Sequence, residues 1–433
     1  MATTLLDLLC NSLVLRQTTP YLDVCSLLAL SATSKSFHYL INNSPDSFRR
    51  LDLTTVKAAS IDSSSIDKGG VRWRSQRMDE ALTEDEFYSG PLLGIFNKLA
   101  RKNVLACVST LVLDGLTVTA DMVNEIITKD SYNVRILSIR EAKHLNERKL
   151  RQSLMYAVRP SRPAGTPRLK GLYVFGAKEQ TPADSNPIRQ RSPGRVPTPE
   201  GGVMYVQGAQ IGAEWNHKSQ ESLNNTLANT EDKWYQSSGR MVRKTPGPEW
   251  AETLQACAGI IAFDAVLCRG PRHNVPVANA RGEVDAGDYL PPTIATVALG
   301  QAGCMKCGSC PEGPAVFGHS PSSHLPLLAP PPLHSSTVQA AQKPHTFDGS
   351  APLFMARCDD CLRGRWCERC NKFWDESCYA ANARPHPPQD TAGQTNSPEH
   401  VHQEEAKVHM GLCIASCLVG EMMSGAGSNG MWG

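Results

Sequence analysis

The cysteines are the residues of this sequence whose spacing most clearly predicts chemistry. Ten of the 15 cysteines lie between positions 304 and 417, and eight of these form close pairs. The pairs are Cys304/Cys307, Cys358/Cys361, Cys367/Cys370 and Cys413/Cys417. Two thiolates on one tight turn can bind the same tetrahedral metal ion, and four thiolates complete a structural zinc site. The eight cysteines therefore predict about two structural zinc ions.

The separation of the pairs favours zinc over an iron–sulfur cluster, because ligands from different loops are typical of structural zinc modules. Only five residues separate Cys361 from Cys367, too few for both central pairs to bind one metal comfortably. We therefore expect an interleaved arrangement, in which Cys304/Cys307 shares a metal with one central pair and Cys413/Cys417 with the other. Residues that could replace a ligand are Cys310, Cys378, His319, His324, His400, His402 and His409.

The other five cysteines stand alone in apolar runs, where a free thiol behaves as a small buried hydrophobe. They are Cys10, Cys25, Cys107, Cys257 and Cys268. The first fifteen residues lack the pattern of a secretory signal, and no apolar run is long enough to span a bilayer. We expect a soluble protein of the cytoplasm, the nucleus or both, where thiols stay reduced. The net charge of +2 predicts neither nucleic acid nor membrane as a partner.

Three short helices are predicted in residues 1–45. Thr3 or Thr4 can cap the first helix, with Asp7 in its first turn. Asp23 can cap a second helix over 24–30, after Pro20. A third helix from about residue 33 places Phe37, Leu40 and Ile41 on one stripe.

Residues 46–300 are predicted to form an irregular repeat of strands and helices. Alternating Leu-x-Leu patterns indicate short strands with one buried face. They occur at Phe48–Leu53, Ser109–Asp114, Val134–Ile139, Arg168–Phe175, Ile260–Leu267 and Thr293–Leu299, with helices at Thr119–Thr128 and Trp250–Cys257. Leu111 and Leu137 are 26 positions apart, a period within the range of leucine-rich repeats. A Pro-rich insertion at about 178–202 is expected to be disordered.

Residues 301–420 are predicted to form a small zinc-binding module with disordered Pro-containing inserts at 311–352 and 380–402, followed by a flexible tail at 421–433. Trp366, Phe373 and Trp374 lie beside the cysteine pairs. We expect them to pack over the metal, because so small a module has little other core. The fold class is therefore α/β with several domains.

The order of residues in the N-terminal helices resembles an F-box. Its elements are Pro20-x-Leu22-Asp23, a Leu-rich helix with Leu27, Leu28 and Leu30, and Ser34-x-Ser36-Phe37. The resemblance implies that these residues bind the adaptor subunit of an SCF-type ubiquitin ligase, and through it a cullin. The repeat region and the zinc module would then bind an unknown protein substrate. The order F-box, Leu-x-Leu repeats and Cys-rich C-terminus is similar to F-box proteins of filamentous fungi.

Such a receptor catalyses nothing itself, and the sequence contains no evident acid/base pair, nucleophile constellation or phosphate-binding glycine motif. Two alternatives remain. The Cys-rich region could be a RING-like ligase that recruits the conjugating enzyme directly, although no histidine lies between Cys358 and Cys370. It could also be a zinc-stabilised interaction scaffold without a role in ubiquitin transfer.

Overall fold

The chain folds as an α/β protein with one parallel sheet and three short antiparallel strand pairs among the described residues. The computed structural model describes residues 4–59, 84–178, 239–242, 245–273, 290–299, 303–308, 315–316, 325–328, 337–342, 353–375, 378 and 407–425. The predicted insertion beyond residue 178, most of both Pro-containing inserts, residues 426–433, Cys310, His319, His324, His400 and His402 lie outside these ranges. None of the helices in these ranges is long and apolar enough to cross a membrane.

Four helices rather than three form the N-terminus. They are α1 (Leu5–Cys10), α2 (Ser12–Thr18), α3 (Val24–Thr33) and α4 (Lys35–Asn43). Thr4 and Asp7 form a capping box on α1, and the Asp23 side chain caps α3, so both predicted caps are confirmed. The predicted first helix is divided because the Asn11 side chain accepts the backbone N–H of Leu13 and starts a new helix.

The parallel sheet contains five strands in chain order. They are β1 (Arg50–Asp52), β2 (Thr110–Val112), β3 (Ile136–Ser138), β4 (Gly171–Tyr173) and β5 (Ala262–Phe263). Each strand lies within one of the predicted Leu-x-Leu segments, and each pairs in parallel with the next. Parallel neighbours require a crossover connection, which is usually a helix. The structure therefore repeats a strand–helix unit along the chain.

The connecting helices are α5 (Glu84–Arg101), α6 (Ala120–Thr128), α7 (Glu147–Ala157) and α8 (Glu249–Cys257). The predicted helix at 119–128 is confirmed, and Met122, Ile126 and Ile127 are buried as expected. Apolar side chains of these helices pack against the central leucines of the strands in one core. The same core includes Leu27 and Ile41 of the N-terminal helices, so those helices pack directly against the repeat region.

Buried carboxylates connect the strands where they end. Asp264 directly follows β5 and accepts the backbone N–H groups of Val174 (2.9 Å), Phe175 (3.1 Å) and Gly176 (2.8 Å), which follow β4. Burial raises the pKa of Asp264, and these backbone donors partly offset the effect. One side chain thereby satisfies three partly buried main-chain donors.

The Cys-rich part of the chain contains short antiparallel pairs. They are β6 (Val297–Ala298) with β9 (Ala356–Arg357), β7 (Ala315–Val316) with β8 (Leu353–Phe354), and β10 (Val408–His409) with β11 (Leu412–Cys413). β6 lies within the predicted strand at 293–299 but pairs with β9. The same segment also contacts the repeat region, since Ile294 forms an antiparallel bridge with Leu267 and packs in its core.

One face of the parallel sheet is covered by the chain itself. Residues 325–328 and the short helix α9 (Val338–Ala341) pack onto β3 and β4, where Leu327 contacts Ile136 and Tyr173. Gly171 lies at the point of closest approach, since a Cβ atom there would be 3.2 Å from the Leu327 side chain. The strand face is therefore closed at this position.

We expect Asp264→Ala to lower the free energy of unfolding by about 3 kcal/mol, because it removes a buried carboxylate that accepts three partly buried N–H groups. Asp130→Asn is the matched control, since the Asp130 side chain is 94% exposed. Thermal unfolding followed by circular dichroism measures both variants. Equal midpoints for the two would show that Asp264 does not stabilise the β4–β5 connection.

Candidate metal centres

Three groups of cysteine and histidine side chains could hold a metal ion, and within each group the ligand atoms lie within 4.8 Å of one another. Cluster 1 contains Cys268, His273, Cys358 and Cys361; cluster 2 contains Cys367, Cys370, Cys413 and Cys417; cluster 3 contains Cys304, Cys307 and Cys378. Thiolate and imidazole ligands in groups of four match the donor sets of structural zinc.

Cluster 1 joins the end of the repeat region to the Cys-rich part. Cys358 caps the four-residue helix α10 (Asp359–Leu362), and its sulfur accepts the backbone N–H of Cys361 at 3.4 Å. The sulfur atoms of Cys268 and Cys361 are 3.8 Å apart, although the two residues are 93 positions apart in sequence. The backbone N–H of Cys358 also donates to Cys268 Sγ at 3.2 Å. These contacts bring three sulfur atoms together.

His273 supplies the fourth ligand of cluster 1. Its Nδ1 is 2.9 Å from the carbonyl oxygen of Pro291, and its Nε2 is 3.2 Å from Cys358 Sγ. A carbonyl partner on Nδ1 fixes the ring orientation and leaves Nε2 for a metal, as in many zinc sites. Burial lowers the pKa of His273, but the hydrogen bond and charge of Cys358 outweigh burial and raise it.

Cluster 1 concentrates negative charge in a buried space. Hydrogen bonding with Cys358 and Cys361 brings the pKa of Cys268 well below its usual range, whereas contact with Cys268 and Cys358 raises the pKa of Cys361. In the metal-free protein, one thiolate therefore opposes ionisation of the next. A divalent cation removes this opposition and allows all three thiols to ionise.

Gly270 is required for the sulfur atoms of cluster 1 to approach closely. A Cβ atom at this position would lie 2.7 Å from Cys361 Sγ, a distance that real Cβ atoms essentially never show. The backbone N–H of Gly270 also points to Cys268 Sγ, at 3.5 Å. Glycine at this position therefore allows the backbone to pack closely against the sulfur atoms.

Cluster 2 is built from a turn and a hairpin. Cys367 and Cys370 belong to a turn in which the Cys367 carbonyl accepts the N–H of Asn371 at 2.9 Å. Cys413 ends the β10–β11 hairpin, and Cys417 lies in the single-turn π-helix Ile414–Leu418 that follows. Cys370 and Cys413 have their sulfur atoms 3.7 Å apart.

The thiols of cluster 2 differ in acidity. Burial opposes ionisation of Cys413, yet hydrogen bonds from the Ser416 hydroxyl and the Cys417 backbone lower its pKa to about 6. Burial raises the pKa of Cys370 to about 12. Cys413 therefore ionises more readily than Cys370, which favours it as a metal ligand, since the thiolate is the ligand form.

Cluster 3 is less enclosed than the other two. The Cys304/Cys307 turn ends at Gly308, whose φ of 65° lies in the left-handed region that favours glycine. Cys304 is buried and accepts the backbone N–H of Asp375 at 3.2 Å, whereas Cys307 is exposed. The described residues supply three thiols here, so this group has fewer ligands than a structural zinc site requires.

The aromatic residues beside the clusters form a small core. Trp366 and Phe373 are each 4% exposed and pack together with Cys304 and Leu362. The Trp366 indole N–H donates to the Asn371 side chain at 2.8 Å. The expectation that Trp366 and Phe373 pack over the cysteine turns is confirmed.

The grouping of ligands differs in two ways from the interleaved arrangement expected from the sequence. Cys413/Cys417 lies with a central pair, as expected, but Cys358/Cys361 lies with Cys268 and His273 rather than with Cys304/Cys307. The isolated Cys268 is therefore a candidate ligand and not simply a buried hydrophobe. The five-residue spacing from Cys268 to His273 was the available signal for this site. Three candidate centres replace the expected two.

We expect the purified full chain to contain at least two zinc ions, because clusters 1 and 2 each offer four ligands. Cys413→Ser should remove one ion and lower stability, since folding of small metal modules is coupled to binding. Cys10→Ser is the matched control, because Cys10 is exposed and lies outside the clusters. Elemental analysis measures the content, and an unchanged value for Cys413→Ser would contradict the assignment.

Gly270→Ala should release the metal of cluster 1, because the added methyl group would displace Cys361 Sγ. The expected result is a loss of one zinc ion per chain, with the ion of cluster 2 retained. Gly94→Ala is the control, since a Cβ at Gly94 meets no atom within 4 Å. Full retention of zinc in Gly270→Ala would show that the cluster tolerates a shifted loop and that close approach is not required.

Comparison with known proteins does not assign this chain to a family. No family model, no curated protein and no solved structure matches the chain. The fold and the three clusters are therefore described by their own contacts, and the function is inferred from them and from the residue order of the N-terminal helices.

Proposed function

We propose that this chain is the substrate-recognition subunit of an SCF-type cullin–RING ubiquitin ligase, with the N-terminal helices bound to the adaptor subunit. The observation that carries the proposal is a concentration of exposed apolar side chains on those helices. Of the 13 large exposed hydrophobic residues in the described parts of the chain, seven lie before residue 40. They are Leu5, Leu8, Leu13, Val14, Tyr21, Leu28 and Tyr39. A concentration of exposed apolar side chains of this kind typically marks a protein interface.

The residues expected to contact the adaptor divide into two groups. Leu28 is 54% exposed and offers its side chain to a partner. Leu22, Leu30 and Phe37 are half-buried, whereas Pro20 and Leu27 are buried and Asp23 is a helix cap. The buried members fix the helices on the core, and Leu28 would supply direct contact. The surface is thereby rigid before a partner binds, which lowers the entropic cost of association.

A cleft beside this surface would suit an apolar helix of the adaptor. It has a volume of about 590 Å³ and lies between α1 and α4. Its walls combine apolar groups of Leu6, Cys10 and Leu40 with the exposed ring of Tyr39. An amphipathic partner helix could insert one or two large side chains here.

The strand–helix units support the second part of the proposal, a leucine-rich-repeat-like body behind the F-box-like helices. Strands β1 to β5 follow one another in chain order, and helices α6, α7 and α8 pack side by side behind them. Such arrays commonly present an extended binding surface. Because residues 325–328 cover β3 and β4, the target would bind at an edge of the sheet rather than across its centre.

The metal clusters are proposed to be structural zinc sites that hold the Cys-rich part of the chain on this body. Ligands of cluster 1 come from both regions, so one bound ion would fix their relative position. Thiolate-rich sites with four protein ligands leave no open position for a substrate. Catalysis of ubiquitin transfer is therefore assigned to the RING subunit of the complex.

Leu28→Asp should weaken capture of the full chain by purified SCF adaptor by about tenfold or more, because a carboxylate would be buried in an apolar interface. Met155→Asp is the matched control, since Met155 is 44% exposed on α7, away from the N-terminal helices. Leu27→Asp would be uninformative, because Leu27 is 1% exposed and its loss would unfold the helices. Biolayer interferometry with immobilised adaptor gives the affinities.

Two outcomes would overturn the proposal. The first is equal adaptor binding by the original chain and Leu28→Asp. The second is ubiquitin transfer by the isolated chain with a conjugating enzyme but without a cullin, which would favour a ligase that acts directly.

A further inference from the structure

A cavity of about 500 Å³ lies at the amino-terminal edge of the parallel sheet. Arg135 and Lys170 line it, and these residues directly precede β3 and β4. The turn Gly259–Ile261, which leads into β5, forms the adjacent wall. The volume falls within the range of pockets that bind small molecules or single large side chains.

The floor and far wall of the cavity are mainly apolar. Leu254, Ile260, Phe263 and Val266 contribute side chains from α8 and the β5 region. The wall opposite is formed by the segment that covers the sheet, through Leu325, Thr337, Val338 and Gln342. This wall is fixed, because the Gln342 side chain donates to the Leu325 carbonyl at 2.8 Å and the Leu327 N–H donates to the Phe263 carbonyl at 2.8 Å.

All charged side chains that line the cavity are positive. Arg135, Lys170 and Arg269 line it, and no carboxylate is among its lining residues. Within the described parts of the chain, none of these three cations forms an ion pair with an acidic side chain. Lys170 Nζ donates to the Pro167 carbonyl at 2.9 Å, which restrains the ammonium group. Arg269 is the neighbour of the cluster 1 ligand Cys268, so the metal site fixes its backbone.

The positive charge continues along the same edge of the sheet. Arg49 precedes β1 as Arg135 precedes β3. Burial and the neighbouring cations Arg16 and Arg135 lower the pKa of Arg49. Asp46 offsets the repulsion between these cations in part, and an anion bound at the edge would relieve it further.

We propose that the cavity binds a phosphate monoester with an apolar body, either a free metabolite or a phosphorylated side chain of a target protein. Guanidinium and ammonium groups match phosphate oxygens in charge and hydrogen-bond geometry. The apolar walls would bury the organic part of the ligand, and burial of that area adds affinity that inorganic phosphate cannot obtain. The proposal concerns the cavity alone and does not depend on adaptor binding.

Phenyl phosphate is the probe, and isothermal titration calorimetry on the full zinc-bound chain measures its binding. Arg269→Gln and Lys170→Gln should each weaken binding by about tenfold, the effect of losing one charge-assisted hydrogen bond. Lys149→Gln is the matched control, because it removes the same charge from a side chain that is 60% exposed and outside the cavity. Phenol, benzoate and inorganic phosphate should all bind more weakly than phenyl phosphate.

A further titration identifies the source of the ligand. Displacement of phenyl phosphate by a short phosphotyrosine peptide, but not by its unphosphorylated form, indicates a target side chain. Failure of the peptide to displace phenyl phosphate indicates a free metabolite.

Zinc content is measured for Arg269→Gln, because Arg269 lies beside the metal ligand Cys268. If this variant loses zinc, the binding result of Lys170→Gln alone decides the test.

Three results would overturn the proposal. Equal affinity for phenol and phenyl phosphate would show a purely apolar cavity. Equal weakening by Lys149→Gln would show a general effect of net charge. Binding of a single-stranded oligonucleotide in preference to phenyl phosphate, with the same loss in Arg269→Gln, would assign the cations to nucleic acid.

Discussion

The meeting of Cys268 and His273 with Cys358 and Cys361 is the constraint on which the arrangement of the C-terminal half depends. Cys268 follows the last parallel strand, whereas Cys358 caps a helix in the Cys-rich part. Around these ligands, Val266, Ala295, Leu325 and Ala356 form a second buried cluster. This cluster has few members and buries little area, so a metal ion held by the four ligands would add much to what holds these segments together.

The N-terminal half is stabilised differently. One apolar core runs from the N-terminal helices through all five parallel strands, and none of the candidate metal ligands belongs to it. Buried acids complete it at the strand ends: Asp114 binds the Arg140 guanidinium at 2.6 Å and the Ser138 hydroxyl at 2.6 Å, and Asp264 binds three backbone N–H groups. Each acid joins two consecutive strand–helix units, so the repeats are connected through polar groups as well as leucines.

Local sequence patterns were sufficient to predict most strands and helices. They were insufficient to predict which segments contact one another. Leu-x-Leu alternation located the five parallel strands, and hydroxyl and carboxylate caps located α1 and α3. Helix α5 was missed because Gly90, Pro91 and Gly94 interrupt its pattern, and α7 because its exposed face is strongly charged. Cysteine turns are local and were found. Their grouping into centres depends on contacts across up to 93 positions, which no short spacing encodes.

The order of ligands along the chain also has a consequence for biosynthesis. Clusters 1, 3 and 2 are completed only when residues 361, 378 and 417 have been synthesised, whereas Cys268 appears much earlier. A nascent chain on the ribosome therefore carries the Cys268 thiol without its cluster 1 partners until the distant cysteines emerge. Translation past residue 361 is the first moment at which zinc can be held by a full ligand set, and until then that thiol is exposed to oxidants and to competing metals.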